Sequence, residues 1–415
     1  MKKNFLFITL LIPMLIFCAK PQQTNDDSND GGDNNSQEES YRDPVFERNP
    51  ADPADEILTE LPPEIKDGDI VQVTRDYIEK FLTEVKYEDG DFSGTRIYDY
   101  PGGYNDKNAT ELGPVTNADK PALYTIRWSE DASAGDLTLT LKDGDWSRDY
   151  KIASGESSQI ITNLRPNASY TYVVTGSSGK EMTHGSFTTT GSIHQCFFPW
   201  NVRNCRDLGG WKTYDGKTVK YRKIYRGGRM EGSTMSPEGR QEILAEGIKA
   251  QLDLRGKSDM LHWGVLGKDS PFANPCIEQG GYTMLGADKE KTKQCFDFTL
   301  NCLKENKPVY FHCSLGRDRT GTFAALVLGI LGVPEGDITQ EYELSYFAPV
   351  GWSIAYSEKN KYFKNTRLTD IKSVVNYFKQ KGESTDRFDV CVEKYLLWIG
   401  VPQADIDEFR RLMLD

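Results

Sequence analysis

Lys307-Pro308-Val309-Tyr310-Phe311-His312-Cys313-Ser314-Leu315-Gly316-Arg317-Asp318-Arg319-Thr320-Gly321 decides the architecture of the C-terminal half of this chain. Residues 307–311 read as a buried strand, and residues 322–331 are apolar on nearly every face, which demands a buried helix. A tight loop therefore joins a strand end to a helix start. It opens with a Cys and closes with an Arg six positions later. Successive backbone N–H groups of such a loop turn inward, and the helix N-terminus adds partial positive charge, so the loop forms an anion pocket of phosphate size. The same field favours thiolate over thiol and makes Cys313 a nucleophile. Arg319 supplies two parallel hydrogen bonds to phosphate oxygens, a geometry that Lys lacks. Thr320 is placed to donate its hydroxyl to the departing thiolate, and Ser314, Leu315, Gly316 and Arg317 complete the phosphate cradle. Cys-x5-Arg alone occurs by chance, and its bland reading is a buried Cys beside a surface Arg. His-Cys-x5-Arg-Thr-Gly between a strand and a helix is far more specific.

Around this unit the pattern from residue 193 onward is α/β. Strand-like runs at 223–225, 250–254 and 309–311 alternate with helical runs at 237–246, 294–304 and 320–331. A central sheet flanked by helices is expected, and three further helical runs at 368–377, 390–399 and 403–414 end the chain. There is no internal repeat.

With these residues in place, residues 195–415 resemble the cysteine-dependent protein tyrosine phosphatases, and among them the bacterial group that also dephosphorylates phosphoinositides. The likeness extends beyond the loop. Asn204-Cys205-Arg206-Asp207-Leu208-Gly209-Gly210 is similar to that group's Asn-x-Arg-Asp-x-Gly-Gly opening. Ile224-Tyr225-Arg226-Gly227-Gly228, Ala250-Gln251-Leu252-Asp253-Leu254-Arg255 and Glu341-Tyr342-Glu343-Leu344-Ser345 follow in its order. The resemblance implies that Cys313 is the nucleophile, Arg319 the phosphate clamp and Asp318 the general acid. Asp253, Asp269 and Asp288 are the alternatives for the acid. The group often has Lys before the loop Asp, where this chain has Arg317. The implied substrates are a phosphorylated protein or an inositol phosphate or phosphoinositide.

Charge is uneven along the chain. The total is 50 Lys and Arg against 62 Asp and Glu, a net of −12, yet residues 195–415 hold 32 basic against 29 acidic side chains. The C-terminal part can thus accept an anion, while an acidic whole is a poor general binder of nucleic acid. Residues 203–229 hold nine Lys or Arg and two Asp. That segment and Arg317 imply a rim that prefers substrates with more than one anionic group; a solvated hairpin is the plain alternative. His262 and Trp263 either line the pocket mouth or sit in an ordinary packed loop. Four His and no Cys-x-x-Cys pair exclude most structural zinc schemes, and no metal or cofactor is called for. Cys196 and Cys205 either staple the entry to the catalytic part or are free thiols.

The N-terminal half reads differently. After two lysines, residues 5–17 are apolar and too short to span a bilayer. Leu15-Ile16-Phe17-Cys18 resembles a bacterial lipoprotein cleavage box, which implies a lipid anchor on Cys18 and an extracytoplasmic, membrane-anchored location, periplasm or cell surface. An ordinary signal peptide is the alternative. Residues 19–65, rich in Asn, Asp, Gln, Ser and Pro, read as a disordered acidic tether. Residues 66–192 read as one amphipathic helix near 70–86, then an all-β sandwich built from short alternating runs. Leu164-Arg165-Pro166-Asn167-Ala168-Ser169-Tyr170 resembles the tyrosine corner of fibronectin type III domains. No chemistry is visible there, which suits a module with a protein or glycan partner. The expected whole is an anchored phosphomonoester hydrolase. The competing readings are a phosphate-binding pseudophosphatase and a surface interaction protein.

Overall fold

Strands buried on both faces, uncommon outside sheets covered by helices, carry the centre of the C-terminal part. The computed structural model describes residues 60–90, 120–198, 202–230, 235–255, 289–348, 368–383 and 385–415. Cys18, residues 19–59 of the expected tether, His262, Trp263, Asp269 and Asp288 lie outside the described residues. The far end of that tether is corrected: Ile65 is buried in the apolar cluster of the strands, and its N donates to the Thr125 carbonyl at 2.8 Å. The four-stranded sheet has the order β10-β11-β9-β8: Ala250–Asp253 (β10), Val309–His312 (β11), Ile224–Gly227 (β9) and Arg206–Asp207 (β8). The first three are parallel and β8 is antiparallel to β9. Every residue of β9, β10 and β11 is buried, the polar Arg226, Gln251, Asp253 and His312 included.

Helices cover this sheet. They are Pro237–Glu246 (α2), Lys289–Lys304 (α3), Asp318–Ile330 (α4), Glu335–Glu343 (α5), Leu368–Lys379 (α6), Phe388–Trp398 (α7) and Gln403–Met413 (α8). Helix α4 is buried along almost its whole length, as its sequence demands. Ser236 caps α2 by accepting from Gly239 N, and Gly247 closes it in the left-handed conformation. Among the described residues no helix is long and apolar enough to cross a membrane.

The preceding strands form a five-stranded sheet of order β1-β7-β6-β3-β4 and a two-stranded sheet, β2-β5. The members are Ile70–Gln72 (β1), Tyr124–Arg127 (β2), Leu137–Asp143 (β3), Trp146–Ile152 (β4), Ser158–Ile161 (β5), Ser169–Gly176 (β6) and Glu181–Thr190 (β7). Leu137, Leu139 and Leu141 alternate inward along β3, and Ile126 and Ile161 from the smaller sheet join the same apolar cluster. The Tyr170 hydroxyl accepts from Arg165 N at 2.9 Å, the hydrogen bond that a tyrosine corner requires.

One assignment changes. The sequence reading groups the amphipathic helix with the strands that follow it. In the structure Asp76–Glu84 (α1) places Ile78, Phe81, Leu82 and Val85 in the apolar core of the C-terminal part, not in that of the strands. A helix is buried by whichever surface matches its stripe, and sequence order does not decide which.

A polar seam joins the two parts. Arg222 donates to Asp143 at 2.6 Å and to the Tyr170 hydroxyl at 3.0 Å, and its guanidinium lies 3.9 Å from the Trp146 ring centroid. Arg148 Nη2 donates to both Glu242 carboxylate oxygens at 2.6 Å, and Trp146 Nε1 donates to the Glu246 carbonyl at 3.2 Å.

Candidate active site

Strand β11 delivers Cys313 at its C-terminal end and α4 begins at Asp318, so residues 313–317 span the gap between them. This is the strand–loop–helix arrangement expected from the sequence. Two features force the loop's shape. Gly316 has φ of 70°, where a side chain is strained. A Cβ there would lie 2.3 Å from the Gly227 carbonyl carbon, so the loop rests directly on the backbone of β9. Gly227 is pressed from another side by Tyr310, whose hydroxyl would stand 2.0 Å from a Cβ at 227 and donates to the Gly228 carbonyl at 2.8 Å.

The Ser314, Leu315 and Gly316 carbonyls of the loop are all engaged by neighbouring donors. Asn204 Nδ2 donates to the Gly316 carbonyl at 2.8 Å and the Leu315 carbonyl at 3.3 Å. Arg226 also donates to the Gly316 carbonyl. Arg229 N donates to the Ser314 carbonyl at 3.2 Å. Carbonyls engaged in this way leave the N–H groups of the same peptides free to face an anion. Behind Arg226 stands Glu341, which accepts from Arg226 Nη1 at 2.7 Å and from Arg206 Nε at 2.7 Å. Both arginines and the carboxylate are buried. Burial, with Arg226 close by, pushes the Arg206 guanidinium down to about 10. Removing one member of a buried charged set of this kind costs about 3–5 kcal/mol.

For four of its nine basic side chains this geometry corrects the sequence reading of residues 203–229 as a basic rim, while Lys212 and Lys217 are exposed. Arg203, Arg206 and Arg226 are buried, Arg206 and Arg226 hold Glu341, and Arg222 belongs to the seam with the strands. Charge counted along a segment does not reveal which face each guanidinium takes. Arg317 is corrected likewise. It is only 2% exposed, and its fork lies on its neighbour, with Nε to Asp318 Oδ1 at 3.1 Å and Nη2 to Oδ2 at 3.2 Å.

Asp318 is the first residue of α4 and is nearly buried. Its carboxyl accepts from Arg317 and, at 3.2 Å, from the Tyr342 hydroxyl. The Tyr342 ring packs on Gly321, where a Cβ would come within 2.5 Å of it. Asp253, an alternative acid, is held elsewhere. Burial pushes its carboxyl up, but His312 and Arg255 outweigh this and keep it below the usual carboxylate range. Arg255 bonds both its oxygens, at 2.9 and 2.7 Å.

Cys313 is 3% exposed. His312, fully buried before it, has Nδ1 3.0 Å from the Cys313 carbonyl oxygen and Nε2 2.8 Å from the Gln251 amide nitrogen. These contacts fix the peptide from which the thiol projects. Arg319 is partly exposed, as a group that meets a ligand must be. Thr320 is fully buried, and its hydroxyl has no hydrogen-bond partner among the described residues. Cys196 and Cys205 are buried thiols not joined by a disulfide, on adjacent antiparallel backbone, with Cys196 N donating to the Cys205 carbonyl at 3.0 Å and Cys205 Sγ 3.2 Å from the Tyr310 hydroxyl oxygen. Among the described residues no group of His, Cys, Asp and Glu is arranged to hold a metal ion.

The sequence names the loop residues. It gives no roles to Asn204, Arg226, Glu341, Tyr342 or Ser345, although all lie in the short motifs that carry the family resemblance. The signal that marks them is a polar or charged side chain set among residues that must be buried.

Residues 200–415, over half of the chain, match the model of the tyrosine phosphatase family. A Cupriavidus necator protein assigned as a tyrosine-protein phosphatase is 25% identical over 164 residues, covering 34% of this chain and 59% of that one. A tyrosine-protein phosphatase of Nostoc commune is 38% identical over 61 residues, covering 15% of this chain and 20% of that one. The chain thus spans less than two thirds of the length of these curated relatives. Two solved structures also overlap it. The core catalytic domain of the PP-IP phosphatase SIW14 from S. cerevisiae shares 18% identity with a TM-score of 0.24, over 37% of this chain and 86% of that one. TpbA of P. aeruginosa, solved in complex with pTyr, shares 14% identity with a TM-score of 0.25, over 38% and 86%.

Proposed function

The chain belongs to the tyrosine phosphatase family, and from that premise we propose that it hydrolyses phosphate monoesters, phosphotyrosine first and inositol phosphates or phosphoinositides second, through a phosphocysteine intermediate. The observation that carries this reading is the loop itself. Cys313 stands at a strand end, the loop carbonyls are engaged by Asn204, Arg226 and the backbone of Arg229, and a helix N-terminus follows.

In the first step Cys313 Sγ attacks phosphorus, the bond from phosphorus to the ester oxygen breaks, and Asp318 delivers a proton to that oxygen. Arg319 and the N–H groups of residues 314–320 stabilise the charge on the three transferred oxygens. In the second step water attacks phosphorus, its proton passes to Asp318, and the phosphorus–sulfur bond breaks. The free hydroxyl of Thr320 is the donor that eases departure of the thiolate. A phosphate-release panel of phosphotyrosyl, phosphoseryl and inositol phosphates tests the reading. Binding of phosphate or vanadate without release of phosphate from any of them would assign the chain to the pseudophosphatases.

Arg317 sits on Asp318 in the structure, so we expect it to serve the acid and not a second anionic group of the substrate. Arg317→Met should lower kcat by roughly tenfold on an aryl phosphate and on a multiply phosphorylated substrate alike, as loss of a positioning contact does. A loss confined to the multiply charged substrate would show that the guanidinium leaves Asp318 to bind it.

The proposal extends to the rest of the chain. Residues 65–75 and 120–192 form a fibronectin type III-like sandwich with a protein or glycan partner, a reading supported by the Tyr170 to Arg165 hydrogen bond. The tether starts at residue 19 and ends before Ile65, which packs with the strands, and Cys18 carries the lipid that holds the protein outside the cytoplasm. Acyl chains contribute about 0.8 kcal/mol per buried methylene, so several together anchor stably. Labelled fatty acid should appear in the wild-type protein and vanish in Cys18→Ala. Equal labelling of both removes the anchor from this account.

A further inference from the structure

We propose that residues 76–90, outside the stretch that the family matches, are a positioning element of the catalytic site, acting on the phosphate loop through helix α5. The activity readouts rest on the hydrolase reading above; the geometry does not.

Helix α5 and the turn after it, Leu344–Phe347, contact the loop from one side. Glu341 holds Arg226, which donates to the Gly316 carbonyl. Tyr342 donates to Asp318. Ser345 Oγ accepts from Asn204 at 3.1 Å and from Arg226 at 3.3 Å, the two side chains that bond the Gly316 carbonyl. One short segment thus sets both the middle of the loop and its acid.

Besides packing on α4 and α6 and bonding Tyr214 and Lys379 through Glu335, α5 is tied to residues 81–90. Gln340, buried, donates its amide to the carbonyls of Phe81, Leu82 and Val85 at 3.3, 3.2 and 2.6 Å. The Phe81 carbonyl also accepts from Val85 N at 3.0 Å and the Leu82 carbonyl from Lys86 Nζ at 2.8 Å, and Gln340 adds a donor from a distant helix at the end of α1. The favour is returned at the other helix. Pro334 gives α5 no side-chain cap, and Asp89 Oδ1 accepts from Gly336 N at 3.0 Å in its place. Gly90 N donates to Glu335 at 2.7 Å, and the Tyr87 hydroxyl donates to Glu343. A Cβ on Gly336 would fall 2.0 Å from the Tyr87 carbonyl oxygen, so the segment lies directly on the helix. The Phe81 and Phe347 rings meet at 5.5 Å. Each helix end is therefore completed by the other segment, across some 250 residues of sequence. A helix held this way cannot shift without breaking several bonds at once. Were it released, Tyr342, Glu341 and Ser345 would move relative to the loop, and displacements of about 1 Å at such sites cost about 100-fold in rate.

The test uses the mature full-length chain with Gln340→Leu and Tyr87→Phe, and with Ile70→Ser, an exposed residue of β1, as a control. Active sites are counted by the burst of phosphoenzyme formation, and kcat per active site, KM, and the affinities for phosphate and vanadate are measured. The expected result for Gln340→Leu is roughly a tenfold fall in kcat per active site and a similar weakening of vanadate, which mimics the transition state, with KM and phosphate affinity changed less than about twofold. Tyr87→Phe should show the same pattern at roughly threefold, and Ile70→Ser none of it. A lower melting temperature and fewer active sites, with kcat per site and vanadate affinity unchanged, overturns the proposal in favour of plain support of the fold. If Gln340→Leu does not fold, Tyr87→Phe, which removes one hydroxyl, decides by the same readouts. If the wild-type protein releases no phosphate, the hydrolase reading has failed separately. Vanadate affinity relative to phosphate then decides: weakening in the variants supports the brace, and equality removes it.

Discussion

Cys313→Ser is expected to abolish turnover, with a loss of at least about 10⁴-fold, because removal of a nucleophile that forms a covalent intermediate leaves only the binding contribution to rate. Serine fits the space of the buried thiol, but its hydroxyl is far less acidic, so the loop field cannot supply an equivalent anion. The pocket itself should survive the change. Its N–H groups, the Asn204 and Arg226 bonds to the Gly316 carbonyl and Arg319 do not depend on the sulfur. The variant should therefore still bind phosphate while forming no phosphoenzyme. In the wild-type protein, thiol alkylation and vanadate should stop the reaction and chelator should not. Full activity in Cys313→Ser, or activity lost to chelator and restored by a divalent metal, would refute the phosphocysteine route.

The sequence makes the loop and its supporting strand and helix legible because their requirements are local. A strand buried on both faces, a Cys-x5-Arg loop and an all-apolar helix leave one arrangement, and β11 and α4 adopt it. The alternation of β3 is likewise local and places Leu137, Leu139 and Leu141 inward as expected. What escapes the sequence is pairing at a distance. The +7 segment at 203–229 looks like a surface because charge usually is one, yet Arg206 and Arg226 meet Glu341 more than a hundred residues later and are buried with it. Arg317 looks like a substrate contact until Asp318 is seen to hold it. Helix α1 shows its stripe plainly, but the stripe does not say which core will bury it. Each miss concerns a side chain whose partner lies elsewhere in the fold.

Asp318→Asn is expected to slow the first chemical step in proportion to how poorly the ester oxygen leaves. Breaking the ester bond puts negative charge on that oxygen, and a proton delivered there is worth about 10²–10⁴-fold. A tyrosine phenol, with a pKa of about 10, needs that proton more than a nitrophenol, which departs as its anion, and an aliphatic alcohol from phosphoserine or inositol needs it most. The substitution suits the site. Asn keeps an oxygen at the Oδ1 position that can accept from Arg317 Nε and from the Tyr342 hydroxyl, at 3.1 and 3.2 Å in the wild type, while its amide gives up the bond that Oδ2 accepts from Arg317 Nη2, so one contact is lost along with the proton. To act as an acid, Asp318 must exchange one of these donors for the leaving oxygen, and Tyr342 then orients the remaining carboxyl oxygen. The acidic limb of the pH–rate profile, which reports required deprotonation, should persist. The alkaline limb, which requires the protonated acid, should flatten. Equal losses on nitrophenyl phosphate, phosphotyrosine and inositol phosphate would instead make Asp318 the anchor that holds Arg317 and the start of α4. The acid would then be sought at Asp269, Asp288 or Asp253.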